Sequence, residues 1–99
     1  MWKILITDEA SVTLVNGELT EDDLQTIKTW VRTVSKFGPE GLLKYPDKWA
    51  DHPLFGEWKG FRSSSFSYKG RIIYEVKERI ITVIVVRITA NHSYRTEKV

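Results

Sequence analysis

Residues 80–86 read Ile-Ile-Thr-Val-Ile-Val-Val, an apolar run with one polar member, and nothing else in the 99-residue chain limits its fold so strongly. The run is far short of the ~20 residues that a membrane-spanning helix needs. It is the right length for a strand, and so little polar interruption is expected of a central strand covered on both faces. Two further strand candidates precede it, at residues 58–68 and 71–76, with the charged pair Lys77-Glu78 leading into the third at 79–89. The three read as an antiparallel meander.

What covers this sheet is visible upstream. From Thr20 to Phe37 the residues Leu24, Ile27, Val31 and Val34, widened by Trp30 and Phe37, follow the 3.6-residue period of a helix with one apolar face. Thr20 is placed to cap it, and Glu21, Asp22 and Asp23 suit the positive end of its dipole. Lys36 suits the negative end, and Gly38-Pro39 stops it. Ahead of the helix, Ile4-Leu5-Ile6 reads as a short buried strand stopped by Asp8-Glu9. Val12-Thr13-Leu14-Val15 running into Asn16-Gly17 predicts a hairpin or bend. Residues 38–53 mix Gly, Pro, Lys and Asp with Leu42, Leu43, Tyr45 and Trp49, the composition of a connector carrying a short helical turn docked by its aromatics. One domain spanning residues 1–99 is expected.

Composition removes several classes of function. With no cysteine there is no disulfide framework and no thiolate metal site, and a reducing compartment fits best. The start Met-Trp-Lys-Ile-Leu-Ile lacks the cationic and long apolar segments of a secretion signal, so a cytoplasmic protein without membrane association is expected. The formal net charge of +2 is unevenly spread. Residues 1–51 hold six Lys/Arg against nine Asp/Glu, a net of −3, and residues 52–99 hold nine against four, a net of +5. A basic second half suits a polyanion such as nucleic acid, and it is equally compatible with ordinary solvated surface.

Residues 51–62, Asp-His-Pro-Leu-Phe-Gly-Glu-Trp-Lys-Gly-Phe-Arg, gather histidine, aromatic and basic side chains beside turn-forming Pro and Gly. The second histidine, His92, follows the last strand. Taken alone, His52 before Pro53 reads as a turn hydrogen bond, and Arg71 as a surface ion pair worth ~0–1 kcal/mol. Ser63-Ser64-Ser65 lack the Gly-x-Ser-x-Gly elbow of a hydrolase and read as polar strand positions. Two histidines with Glu57 lack the His-x-x-x-His spacing of a helical zinc site, so no metal and no cofactor is expected.

The Asp-His-Pro-Leu-x-Gly-x-Trp-Lys-Gly-aromatic-Arg run, the Arg-Ile-Ile-Tyr of residues 71–74 and a histidine after the last strand together resemble the RelE/ParE superfamily of toxin–antitoxin toxins. The Asp-His-Pro-Leu start and His92 are most similar to the YafQ branch. The Arg-aliphatic-aliphatic-Tyr segment and the closing tyrosine are more like RelE and YoeB. The resemblance implies an α+β fold of the microbial ribonuclease-like kind, an antiparallel sheet of about four strands packed by one or two helices. It implies cleavage of mRNA in the ribosomal A site, with attack by the substrate's own 2′-hydroxyl, and silencing by a cognate antitoxin.

On that resemblance His52 and His92 take the parts of general base and acid, a pairing suited to groups titrating near neutrality. Arg71 contacts the scissile phosphate through a planar, permanently charged guanidinium. Tyr94 stacks on a base or orients the nucleophile. Lys59, Arg62, Lys69 and Arg95 bind the RNA backbone, while Trp58 is expected in the core. A further histidine and an aspartate of the YafQ site fall at Ser65 and Lys69, which makes the expected site a hybrid. Residues 12–18 do not resemble the amphipathic first helix of many members. The competing functions are a ParE-like gyrase inhibitor and a non-catalytic RNA-binding module.

Overall fold

The computed structural model describes residues 2–77 and 82–89. Its first strand, β1 (Lys3–Ile6), is followed by helix α1 (Asp8–Val15) and the long helix α2 (Glu21–Phe37). Two single-turn helices, α3 (Glu40–Leu43) and α4 (Pro46–Trp49), lead into β2 (His52–Pro53). A 3-10 turn at Gly56–Trp58 precedes β3 (Arg62–Ser65), β4 (Arg71–Lys77) and β5 (Thr82–Thr89).

The strands form one sheet in the order β1-β5-β4-β3-β2. Four of them, β2 to β5, are consecutive antiparallel neighbours, the α+β arrangement expected. The fifth, β1, lies parallel to β5, with Lys3 opposite Thr82 and Ile6 opposite Val85. The segment 82–89 therefore has a paired neighbour on each side, which makes it a central strand of the sheet, as expected.

Helix α2 forms where the periodicity places it. The Thr20 side chain accepts from the Asp23 N–H at 3.0 Å while the Asp23 carboxylate accepts from the Thr20 N–H at 3.1 Å, a reciprocal capping box. At the other end Gly38 takes φ 76° and its N–H donates to the Val34 carbonyl. A Cβ at Gly38 would stand 2.5 Å from the Trp2 indole, so both conformation and space demand glycine there. Ile27, Trp30 and Val34 are buried, and with Ala10, Leu42, Trp49, Phe66, Ile72, Tyr74 and Ile88 they make the core between the helices and one face of the sheet.

Several expectations change. The segment 12–15 belongs to helix α1 rather than to a strand. Thr7 caps it by accepting from the Ala10 N–H, Asp8 and Glu9 occupy its first turn, and Ala10 and Leu14, one turn apart, face the core. That local helical consistency outweighs the β-branched composition of 12–15. The expected bend follows it, where the Asn16 side chain accepts from the Glu18 N–H and Gly17 adopts φ 91°.

The first strand is an edge strand with Leu5 and Ile6 partly exposed, because it pairs on one side only. The expected strand at 58–68 contracts to Arg62–Ser65. Gly56 and Gly60 at φ 68° and 97° turn the chain before it, and Trp58 stacks edge-on against Phe61 at 5.6 Å, half-buried rather than in the core. In the connector Leu42 and Trp49 are the buried anchors, while Leu43 and Tyr45 stay exposed.

Candidate functional site

The register across β2, β3 and β4 decides which side chains can work together. Directly opposed residues of antiparallel strands share a face, and successive residues alternate. His52 lies opposite Ser63, Ser63 opposite Ile73, and Ser65 opposite Arg71. His52, Ser63, Ser65, Ile73 and Arg71 therefore share one face, and Ser64, Ile72 and Tyr74 share the other, which packs on α2. By strand spacing, His52 and Arg71 are separated by about 10 Å across the sheet and about 7 Å along it. Between them on this face Ser63 and Ile73 are fully buried, and the Arg71 guanidinium folds back onto the turn at residues 67–70.

His52 is exposed, and its Nδ1 lies 2.8 Å from the Ala50 carbonyl oxygen. A carbonyl only accepts, so Nδ1 carries the proton and Nε2 of the neutral ring is left as a base. Arg71 is half-buried. One terminal nitrogen of its guanidinium donates to the carbonyls of Gly70, Tyr68 and Ser67, at 2.9, 3.3 and 3.4 Å. Among the described residues it has no carboxylate partner, so its charge is held in place by neutral acceptors and left unneutralised. Lys69, exposed in the β3–β4 turn, adds a cation beside Arg71. Lys59, exposed just after the 3-10 turn, lies toward the opposite end of β3.

The other face handles charge in a different way. The Asp51 carboxylate is 1% exposed. One of its oxygens accepts from Arg62 Nε at 2.7 Å and from a terminal Arg62 nitrogen at 2.6 Å. The other accepts from the Ser64 hydroxyl at 2.5 Å and the Tyr74 hydroxyl at 2.6 Å. Ser64 in turn accepts from the Trp30 indole N–H at 2.9 Å, and Trp30 meets the Tyr74 ring edge-on at 5.2 Å. Burial, together with the charge of Asp51 and the bond to it, pushes the Tyr74 hydroxyl pKa up. Burial of Arg62 favours its neutral form, but the hydrogen bond and charge of Asp51 outweigh this and raise its pKa.

Arg62, expected among the phosphate contacts, thus has its guanidinium committed to Asp51 and stands apart from Arg71. His92, Tyr94 and Arg95 lie outside the described residues. The element that sequence reasoning missed is Asp51 with its partners, and the only trace of it in the sequence is the co-occurrence of Asp51 and Arg62 at the two ends of one motif. Among the described residues no cluster of His, Asp or Glu is arranged to hold a metal ion. Among them also no helix is long and apolar enough to cross a membrane.

A second surface feature lies on the far side of α2. A groove of about 900 Å³ runs between α1, α2 and β1, floored by Ile6, Leu14, Leu24, Ile27 and Val31. Lys28, Arg32 and Lys36, spaced one turn apart on α2, line it as well.

No protein-family model matches the sequence, and comparison with curated proteins finds no match. Solved structures do match. YafQ from Escherichia coli superposes with a TM-score of 0.69 at 20% identity, covering 89% of this chain and 91% of that one. The toxin–antitoxin complex of DinJ and YafQ from the same species gives 0.68 at 22% identity, covering 92% of each chain. An archaeal RelE–RelB complex from Pyrococcus horikoshii gives 0.70 at 12% identity, covering 93% of this chain and 96% of that one. The chain has the fold of the RelE and YafQ toxins over nearly its whole length.

Proposed function

We propose that this protein is a toxin of a toxin–antitoxin pair, a metal-independent endoribonuclease that cleaves mRNA on the ribosome. The observation that carries the reading is the placement of His52 and Arg71 on one sheet face, with no partner for the imidazole Nε2 and no carboxylate for the guanidinium among the described residues. Supporting it are the RelE and YafQ fold and the motif at residues 51–62. In this mechanism His52 Nε2 takes the proton from the 2′-hydroxyl of the substrate. The oxygen attacks the adjacent phosphorus, and the 5′ oxygen leaves with a proton from a second acid, the part this reading gives to His92. Arg71 stabilises the extra negative charge that builds on the phosphorane, a contribution of about 10²–10³ in rate for a well-placed donor. Lys59 and Lys69 hold the flanking phosphates, and Tyr94 and Arg95 complete the RNA contacts.

The partner is an antitoxin, and the groove beside α2 is a surface suited to it. An apolar floor flanked by Lys28, Arg32 and Lys36 fits a segment bearing apolar and acidic side chains. Two of the solved structures of this fold are themselves complexes, DinJ with YafQ and RelB with RelE.

Expression in growing cells is expected to arrest growth, with transcripts cut within translated regions. His52→Ala, Arg71→Ala and His92→Ala are each expected to relieve the arrest and to lower the cutting by about 10²-fold or more. Growth arrest with intact transcripts and an induced DNA-damage response would instead mark a gyrase inhibitor. Salt-sensitive RNA binding by the purified protein, with no product on translating ribosomes, would mark a binding module.

A further inference from the structure

We propose that Asp51 is the positioning residue for His52, an inference that rests on the reading of His52 as a catalytic base. Strand β2 is two residues long, with the pairings His52–Ser63 and Pro53–Arg62; Pro53 has no N–H to give to a ladder, and beyond it one bond follows, from the Leu54 N–H to the Phe61 carbonyl. Backbone pairing alone is too sparse to fix the direction of the His52 ring. The residue before Asp51, Ala50, is in the left-handed conformation at φ 47°, ψ 39°, the only non-glycine residue with positive φ among those described. An alanine stays there only where its surroundings over-determine it.

Two things hold it: Ala50 is the C-cap of α4, its N–H donating to the Pro46 carbonyl at 2.8 Å, and the residue after it, Asp51, is anchored. The carboxylate has two oxygens with about four acceptor directions, and all are taken by Arg62, Ser64 and Tyr74. Those donors come from β3 and β4, and Ser64 is fixed in turn by Trp30 of α2. Asp51 is therefore bolted to the helix-facing side of the sheet. Because side chains alternate along an extended chain, anchoring Asp51 on one side presents His52 on the other. The same constraint aims the Ala50 carbonyl at His52 Nδ1, at 2.8 Å, which fixes the tautomer with Nε2 unprotonated. Asp51 touches neither substrate nor imidazole. It acts on the base through one backbone carbonyl and one strand direction.

The test compares wild type, Asp51→Asn and Tyr74→Phe, read by single-codon cleavage on programmed ribosomes and by ¹⁵N NMR of the histidine side chains. The chain has only His52 and His92, so a His92→Gln background assigns the His52 signals. Asp51→Asn is expected to lower kcat about 10- to 100-fold with KM nearly unchanged, as small misplacements of a catalytic group do. It is also expected to move the rising limb of the pH–rate profile and to replace the single Nδ1–H tautomer of His52 with a mixture. Tyr74→Phe, which keeps the Arg62 and Ser64 bonds, is expected to do the same to a smaller extent. A fall in kcat with the pH limb and tautomer unmoved would overturn the proposal, because a merely structural role predicts that result. So would unchanged kcat in folded variants. If Asp51→Asn does not fold, Tyr74→Phe decides by the same readouts. If wild-type protein leaves mRNA uncut, the endoribonuclease reading fails, and the tautomer populations alone then decide whether Asp51 orders the His52 ring.

Discussion

The two faces of the sheet use the same kinds of residue to opposite ends. On the face packed against α2, an aspartate, an arginine, a serine and a tyrosine satisfy one another, and every acceptor of the carboxylate is occupied. On the other face, a histidine and an arginine have, among the described residues, only backbone carbonyls as hydrogen-bond partners. A buried ion pair closed in this way gives little net stability against an apolar replacement, but losing one partner is costly. An arginine held by neutral carbonyls loses none of its charge and is ready for a phosphate. The contrast shows one arrangement by which a small domain can hold polar side chains in place: the network that fixes the backbone lies one strand-face away from His52 and Arg71.

The sharpest way to break the comparison is to unbalance the closed network. Asp51→Ala leaves the Arg62 charge and two hydroxyls without their acceptor and is expected to cost about 3–5 kcal/mol of stability, the range for one partner removed from a buried pair. Denaturant unfolding followed by tryptophan fluorescence measures it, with Trp30 at the centre of the affected core. The face that carries His52 and Arg71 is expected to respond the other way round. Arg71→Ala is expected to lower ribosome-dependent cleavage about 10²–10³-fold, equivalent to about 3–4 kcal/mol of transition-state stabilisation. The same variant is expected to change folding stability by only about 1 kcal/mol, since Ser67 and Tyr68 are exposed and the Gly70 carbonyl still accepts from the Phe66 N–H. Equal losses of stability and activity in both variants would erase the distinction between the faces.

How much of this was legible before the fold was known depends on how far apart the partners lie in sequence. Helix α2 announces itself locally, because Thr20, Asp23, the 3.6-residue spacing and Gly38 all act within a turn or two of one another. Val12 to Val15 taken by themselves suggest extended chain, whereas Thr7, Asp8 and Ala10, whose capping and one-turn spacing to Leu14 are equally local, make them the end of helix α1. The extra parallel strand was not readable, since nothing local in Ile4-Leu5-Ile6 says that it will pair with residues some eighty positions later. The candidate site divides in the same way. His52 and Arg71 were found as residue types in a motif, but their sharing of one face is a property of register, which only the paired strands reveal. Arg62 was assigned to RNA because its cation was visible. Its true partner, Asp51, stands eleven residues away on the far side of a turn.

The smallest effect concerns pH and isolates the tyrosine at the centre of the closed network. The Tyr74 hydroxyl is desolvated and donates to a carboxylate, so its proton is harder to remove in the folded chain than in the unfolded one, where the ordinary value is near 10. A group whose pKa is raised by folding contributes stability that is fully present below the unfolded pKa and is lost as pH climbs above it. Above pH 10 the unfolded chain releases this proton while the folded chain keeps it, and stability falls by up to about 1.4 kcal/mol per pH unit from this group. Tyr74→Phe cannot make that loss. At neutral pH the variant is expected to be less stable by about 1 kcal/mol for the missing bond to Asp51. Between pH 10 and 11 that gap is expected to narrow, because only the wild type pays to retain a proton that its unfolded chain gives up. Paired urea titrations at pH 7, 10 and 11 measure the gap directly. A gap that stays constant or widens with pH would mean that Tyr74 ionises as readily in the fold as outside it, and the network around Asp51 would then be open to water rather than closed.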